Sequence, residues 1–440
     1  MKTLSRRTFI GGAVTASTGL SLGLSPVAGA ERAAAAPATT AKKARSVAEW
    51  PMWDNREEKA LLDVLRSGKW GRGNGTRVKE FELAYAEKMR AKHCVATASG
   101  TSALLTTLGA LGVGPGDEVI MPPYTFVATF NVITLNYALP VFVDTDPVTF
   151  QIDASKIAAA ITPATKLLLP VHIGGYPANL DAIEAVAKAR KLPFVEDGCQ
   201  AWLAEFKGQP IGSRGIGGCF SFQASKNLTS GEGGAVLTND DNFAELCYNF
   251  HTPTGTKGTA LNTGRASNYR MTEFQAALLM AQMTRIDAQF KTRDENAAYL
   301  TSMLQKVPGI APARFSPGAT RSAYHLYMMR YDPKQFAGLP RAKFLQELSK
   351  EGVAASGGYS PLNSSAHAKG LAANPHYQKI YGKQAMARWL ERNQCPVNDR
   401  LCAEAIWFSQ YVLLRPRSEM EKIVAAFTKI QRRSGELARV

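Results

Sequence analysis

Short apolar runs at residues 94–98, 118–122, 140–144, 167–171, 193–196, 219–223 and 235–238 alternate with helix-patterned stretches such as 102–112, 154–160 and 180–190. A strand followed by a helix can return to lie parallel beside its predecessor. The alternation therefore predicts crossover connections and a mostly parallel, seven-stranded sheet covered by helices. This large α/β domain is expected over residues 50–290. From about residue 290 the rhythm changes to amphipathic helices at Asp294 to Leu304, Arg341 to Glu351 and Ser418 to Arg432, set around a short strand at His325 to Tyr331. That change predicts a smaller C-terminal α+β domain over residues 291–440, with residues 50–70 packed against it and a ligand crevice between the domains. A chain of 440 residues with 45% hydrophobic side chains can bury cores for both.

The first 30 residues read differently. Ser5-Arg6-Arg7-Thr8-Phe9-Ile10 precedes an uncharged stretch rich in Gly, Ala, Ser and Thr that ends at Ala28-Gly29-Ala30. A charged start, a mildly apolar middle and small residues at the end are the layout of a twin-arginine export signal. The expectation is delivery by the twin-arginine export machinery to a periplasmic or extracellular location, a route that carries folded cargo. An uncleaved membrane anchor is the alternative, opposed by Pro26 and by the many glycines and hydroxyls, which lower the apolarity a spanning helix needs. Residues 31–49 form a low-complexity linker rich in Ala, Lys and Arg, expected to be disordered.

The formal charge of +16 drops to +13 without Lys2, Arg6 and Arg7, because residues 1–30 hold no acid. The basic residues are scattered, with no basic helix or stacking-aromatic motif among them, so nucleic-acid binding is not expected. Six cysteines in so long a chain do not make a disulfide scaffold, and spacing leaves open whether Cys395 and Cys402 pair after export. His93, His251, His367 and His376 lack metal-ligand spacing, so no metal is expected.

Chemistry concentrates in Phe220-Ser221-Phe222-Gln223-Ala224-Ser225-Lys226-Asn227-Leu228-Thr229-Ser230-Gly231-Glu232-Gly233-Gly234. A lysine at the mouth of a strand, led by hydroxyl residues and followed by a glycine-rich turn, suits an amine that forms an imine with pyridoxal 5'-phosphate (PLP), an electron sink. Such a lysine must lose its proton well below its ordinary range of ~10.4, which takes desolvation or neighbouring positive charge. In isolation the pattern also describes a solvated lysine. Two further segments point the same way. Cys94-Val95-Ala96-Thr97-Ala98 runs into Ser99-Gly100-Thr101-Ser102, a small-residue turn that opens an apolar helix. The unpaired N–H groups there suit a phosphate, although an ordinary N-cap has the same look. Leu192-Pro193-Phe194-Val195-Glu196-Asp197 is an apolar strand ending in carboxylates at the place where open α/β sheets bind ligands. Asp197 can keep a pyridine nitrogen protonated there, or cap a helix.

Together these segments resemble the DegT and StrS type of PLP-dependent sugar aminotransferases over nearly all of residues 50–430. The likeness also rests on Pro122-Pro123-Tyr124-Thr125-Phe126-Val127-Ala128-Thr129, Phe142-Val143-Asp144-Thr145-Asp146-Pro147, Pro170-Val171-His172 and Asn268-Tyr269-Arg270-Met271-Thr272-Glu273. It implies fold type I of the PLP enzymes, a homodimer with shared sites, and a transaminase working in two half-reactions. Nitrogen would pass from glutamate or glutamine to a keto-sugar or keto-cyclitol. By the same resemblance Lys226 is the imine-forming lysine and proton shuttle, Asp197 pairs with the pyridinium, Gln200 contacts the ring hydroxyl, and Phe126 stacks on the ring face. Gly100, Thr101, Ser102 and Ser221 match phosphate contacts, and Asn268 matches a residue that reaches the neighbouring subunit's phosphate. His172, Arg270, His325 and Tyr359 lie in family-like stretches and are candidate substrate contacts, or else satisfied structural side chains.

Trp202 departs from the family pattern, which often has histidine there, and this puts the local polar contacts and the substrate in question. The retained Lys226 argues for amino transfer over the dehydratase branch, which carries histidine instead. Residues 351–362 and 394–397 look like the branch that aminates keto-inositols, whereas other relatives act on nucleotide-linked keto-sugars. A dehydrating or epimerising relative and a secreted carbohydrate-binding protein without catalysis are the other readings.

Overall fold

The computed structural model describes residues 50–252 and 264–439. The expected export signal and linker, residues 1–30 and 31–49, lie outside them. In chain order the strands are β1 (His93–Thr97), β2 (Glu118–Met121), β3 (Leu139–Phe142), β4 (Thr165–Leu168), β5 (Val195–Asp197), β6 (Glu205–Phe206), β7 (Gln209–Pro210), β8 (Gly217–Ser221), β9 (Gly234–Thr238), β10 (Ile310–Pro312), β11 (Ala319–Arg321), β12 (Leu326–Tyr331) and β13 (Ala405–Ser409). The groups β1-β9-β8-β5 and β3-β2-β4 are joined by parallel bridges from Leu168 to Phe194 and from Val171 to Asp197. The result is the expected α/β sheet, parallel throughout except for β9, which runs antiparallel to both β1 and β8.

Residue alternation explains why this sheet is buried on both faces. Val95, Val119, Cys219 and Val236 enter one core, and their neighbours Ala96, Ile120, Phe220 and Leu237 enter the other. Successive side chains on a strand point to opposite faces, so unbroken apolar runs need helices on both sides. A third core gathers Leu300 and Leu304 of helix Ile286–Leu304, β12 and β13, and Phe427 of helix Arg417–Leu437.

The N-terminal segment divides its contacts: helix Asn55–Ser67 lies on helix Glu273–Met283, whereas Trp50 meets helix Ile286–Leu304, with the Arg293 guanidinium 5.5 Å from its ring. The cause is polar. Arg285 pairs with Asp54 and Glu57, and Gln282 donates to Met52 O at 2.7 Å, which anchors the segment to residues 282–285. Cys395 and Cys402 are both free and buried, and burial pushes the Cys402 thiol up to about 12.

Helices Ala366–Ala373, Pro375–Tyr381 and Lys383–Arg392 cover the edge strand β3. Trp389 Nε1 donates to Pro140 O at 2.6 Å, and Asn393 Oδ1 accepts from Phe142 N at 2.6 Å. An open strand edge invites pairing with other chains, and these side chains occupy it.

Candidate active site

The C-terminal ends of β1, β5 and β8 open onto a cavity of ≈ 500 Å³. Lys226 stands in its wall, on the turn that joins β8 to β9. That turn is tightly bonded: Lys226 N donates to Gln223 O at 2.8 Å, Ala224 N to Gly231 O at 2.9 Å, and Thr229 Oγ1 to Phe222 O at 3.0 Å. It is also held from outside, by Trp50 Nε1 on Ala224 O at 2.8 Å. Burial lowers the Lys226 ammonium from its ordinary range, against the opposing pull of Cys199, Asp197 and Glu232. A lysine with that balance gives up its proton more readily than one in water.

Glu196 and Asp197 are neighbours on β5 and so face opposite ways. Asp197 lines the cavity, with Oδ2 accepting from Thr129 Oγ1 at 2.8 Å and Oδ1 accepting from Cys199 N at 3.2 Å. Glu196 is fully buried behind it, accepting from His172 Nε2 at 3.1 Å and from Gly212 N and Arg214 N at 2.8 and 2.9 Å. Burial alone would raise the Glu196 carboxyl, but these donors hold it below its ordinary value.

Ser99 caps helix Gly100–Ala110, its Oγ accepting from Ser102 N at 3.1 Å, and the first turn of that helix faces the cavity. Gly100 is needed for the approach. A Cβ there would stand 2.5 Å from Ser221 Cβ and 3.1 Å from Cys199 Sγ. On the far wall Gln200 is committed at both ends, its Oε1 accepting from Gly174 N at 2.8 Å and its Nε2 donating to the Tyr359 hydroxyl at 2.9 Å. Burial pushes the Tyr359 phenol up to about 12, so it stays neutral. Phe126 lines the cavity while remaining 57% exposed.

Of the residues singled out from sequence, Gly100, Thr101, Phe126, Asp197, Gln200, Ser221, Lys226, His325 and Tyr359 all line this cavity. Four do not. Ser102 turns back to Ser99, with their hydroxyls 2.8 Å apart. His172 is fully buried, held by Glu196 on one nitrogen and by Ala178 N at 3.0 Å on the other, so its expected substrate contact gives way to a structural role. Asn268 and Arg270 lie beside the end of β1, where Ala98 N donates to Tyr269 O at 2.7 Å, and neither side chain lines the cavity of its own chain. Glu273 from the same segment is buried and accepts from Arg77 N at 2.6 Å, capping helix Arg77–Lys88.

Thr125, Thr129, Cys199, Gln223, Ser225 and Glu232 also line the cavity and were not singled out. The two threonines carried a usable signal. They sit four apart in a hydroxyl-containing signature, Thr129 in the first turn of helix Ala128–Leu135 and Thr125 in the bend before it, and their hydroxyls are 3.0 Å apart. Trp202 is buried in the core with Leu203 and Phe206 and leaves the cavity's polar wall untouched.

These residues fit the expected cofactor. A desolvated lysine, a carboxylate at the end of a central strand, a helix N-terminus brought close by a required glycine, and an open aromatic face converge on one cavity of cofactor size.

Comparison with known proteins gives the same picture. The family model described as the DegT/DnrJ/EryC1/StrS aminotransferase family matches residues 51–428. An L-glutamine:2-deoxy-scyllo-inosose aminotransferase of Streptoalloteichus tenebrarius is 37% identical over 413 residues, covering 88% of this chain and 96% of the relative. An L-glutamine:scyllo-inosose aminotransferase of Streptomyces griseus is 34% identical, covering 89% and 96%. Among solved structures, 3-amino-5-hydroxybenzoic acid synthase superposes with a TM-score of 0.75 at 29% identity, covering 88% of this chain and 98% of that one. An aminotransferase from Psychrobacter cryohalolentis gives 0.75 at 28%, covering 87% and 98%.

Proposed function

Since the chain belongs to the DegT/DnrJ/EryC1/StrS aminotransferase family, we propose that this PLP-dependent transaminase takes its amino group from glutamine and gives it to a free keto-inositol rather than to a nucleotide-linked keto-sugar. One observation carries the choice of acceptor. Among the described residues that line the cavity, Lys226 is the sole cation. With the helix N-terminus assigned to the cofactor, a second, doubly charged diphosphate favours arginine or lysine partners, whereas an uncharged polyol is served by hydroxyl and amide groups such as those of Tyr359, Gln200 and Thr125. The names of the similar inosose aminotransferases support the same acceptor class and a glutamine donor.

When bound, PLP supplies an electron sink for carbanion chemistry. The chain supplies placement and protons. Lys226 Nζ, made less basic by burial, is the nucleophile toward the aldehyde, and once released it moves the proton between carbon atoms. Asp197, oriented by Thr129 and Cys199 N, provides negative charge where a pyridinium would sit. The first turn of helix Gly100–Ala110, with Ser221 against it, offers donors to the phosphate.

Two finer readings belong with this one. Asn268, exposed and away from its own cavity, supports a homodimer in which each subunit completes its partner's site. The Ser5-Arg6-Arg7 segment supports twin-arginine export, for which the mature N-terminus is expected just after Ala30, as read by N-terminal sequencing of exported protein. The catalytic reading is tested by borohydride reduction of cofactor-loaded protein followed by peptide mass spectrometry. The label is expected on Lys226, and Lys226→Ala is expected to lose both label and turnover. Incubation with glutamine and scyllo-inosose against a nucleotide-linked keto-sugar decides the acceptor, and turnover confined to the nucleotide sugar would refute the choice made here.

A further inference from the structure

Asn227 follows the reactive lysine directly, and His325 directly precedes β12; together they bind two segments of the cavity wall. Asn227 Nδ2 donates to Ala323 O at 2.7 Å. A backbone carbonyl only accepts, so the amide must turn its nitrogen that way, leaving Oδ1 facing the His325 ring 3.3 Å from Nδ1. An amide oxygen also only accepts. A proton on Nδ1 makes a hydrogen bond here, whereas a bare Nδ1 would set two lone pairs against each other. The ring is therefore the Nδ1–H tautomer, and Nε2 carries the lone pair.

The His325 backbone is held too: Gln410 N donates to His325 O at 3.0 Å, and Gln410 Oε1 in turn accepts from Arg293 Nε at 3.0 Å. The charged groups that face the ring are Lys226 on the β8–β9 turn and Arg293 on helix Ile286–Leu304; both add to burial in keeping it neutral, well below its ordinary range. Among the described residues Nε2 has no hydrogen-bond partner in the chain. The neighbouring Tyr359 hydroxyl accepts from Gln200 Nε2, which leaves its own hydrogen free to donate. The cavity thus presents a donor at Tyr359 and an acceptor at His325.

We propose that Asn227 is a positioning residue that fixes His325 as the Nδ1–H tautomer, so that Nε2 accepts a hydrogen bond from a hydroxyl of the polyol acceptor. This role rests on the polyol reading of the substrate and adds to it a specific contact and the group that maintains it. The arrangement also explains why a histidine buried among cations is useful. Protonated, it would offer a second donor where the hydroxyl needs an acceptor.

The experiment uses the full chain loaded with cofactor. Selective 15N-histidine labelling, with His325 assigned by its loss in His325→Gln, reads the tautomer directly, and a bare Nε2 with a protonated Nδ1 is expected. Asn227→Asp places a carboxylate beside Nδ1 and favours the imidazolium. KM for the polyol acceptor is expected to rise on the order of tenfold near neutral pH and to recover as the ring loses its proton at higher pH, with a smaller change in the rate of the glutamine half-reaction. Should Asn227→Asp fail to fold, two ring replacements decide the question. His325→Gln keeps an acceptor near the Nε2 position and His325→Asn keeps only the tether near Nδ1, so the glutamine variant is expected to hold the acceptor more tightly. A wild-type ring protonated at Nε2, an acceptor KM and pH profile indifferent to Asn227→Asp, or asparagine matching glutamine would overturn the proposal. Glutamine-driven turnover of no polyol by the wild type would instead overturn the reading of function beneath it.

Discussion

Gly100 shows how a single residue decides whether the cavity can work. Its missing side chain is where Ser221 Cβ comes closest, and neither that atom nor Cys199 Sγ is the end of a flexible chain that could swing aside. Gly100→Ala is expected to push the helix N-terminus off β8, costing about 1–3 kcal/mol in urea unfolding and releasing bound cofactor on dialysis. Ser102→Ala, which removes one hydroxyl bond to Ser99 and no cavity-lining side chain, is expected to keep its visible absorbance. The expected residues that do meet in one cavity are those whose chemistry leaves little choice: an amine, a carboxylate at a strand end, a glycine against a strand. His172 was harder because a buried histidine satisfied by Glu196 and a backbone amide looks, in sequence, like one that waits for a ligand. The partner was one residue from Asp197, on the opposite face of the same strand.

At the level of elements, all seven large-sheet strands overlap their expected ranges with ends shifted by no more than three residues, because apolar runs bounded by turns are set by local pattern. The helices over residues 366–392 were not foreseen. Their sequence is interrupted by Gly370, Pro375 and Gly382, so the reason they form lies in what they cover. They hold an otherwise open edge. Asn393 is the sharpest probe of that role, since it is buried and its Oδ1 is the acceptor for Phe142 N at 2.6 Å. Asn393→Ala leaves a buried strand N–H without a partner, at a cost of about 1–3 kcal/mol in chemical denaturation. Hydrogen exchange at the Phe142 amide is expected to speed up, while exchange in β8 stays slow. Equal acceleration across the sheet would mean that the helices act through the whole core and not through this edge. The N-terminal segment teaches the same lesson, because its position follows from the Arg285 pairings with Asp54 and Glu57, which no local pattern announces.

Two properties belong to the molecule as a whole. The first is its response to acid. His251 is buried, and burial, followed by the Arg72 cation, lowers it from 6.5 to about 4. Between those values the unfolded chain takes up a proton that the folded chain refuses, so stability falls as pH drops through this window and levels off below it. From pH 7 to pH 5 the loss from this one group is about 2 kcal/mol. His251→Asn keeps a donor for Tyr248 O and cannot protonate, so its urea midpoint is expected to vary less between the two pH values. The second property is the proposed sharing of sites between subunits. Asn268 sits next to the end of β1, close to the helix that faces the cofactor, yet its side chain is exposed and reaches no part of its own cavity. If it serves the partner's cavity, Lys226→Ala and Asn268→Ala subunits are each deficient alone but complementary together. In a hybrid dimer one site collects both defects and the other collects neither. Random mixing makes half the dimers hybrid, so about a quarter of the wild-type sites are restored. Mixing the two variants after mild dissociation is therefore expected to recover roughly a quarter of wild-type turnover. Activity no greater than the sum of the separate variants would place Asn268 outside the partner's site and return each cavity to a single chain.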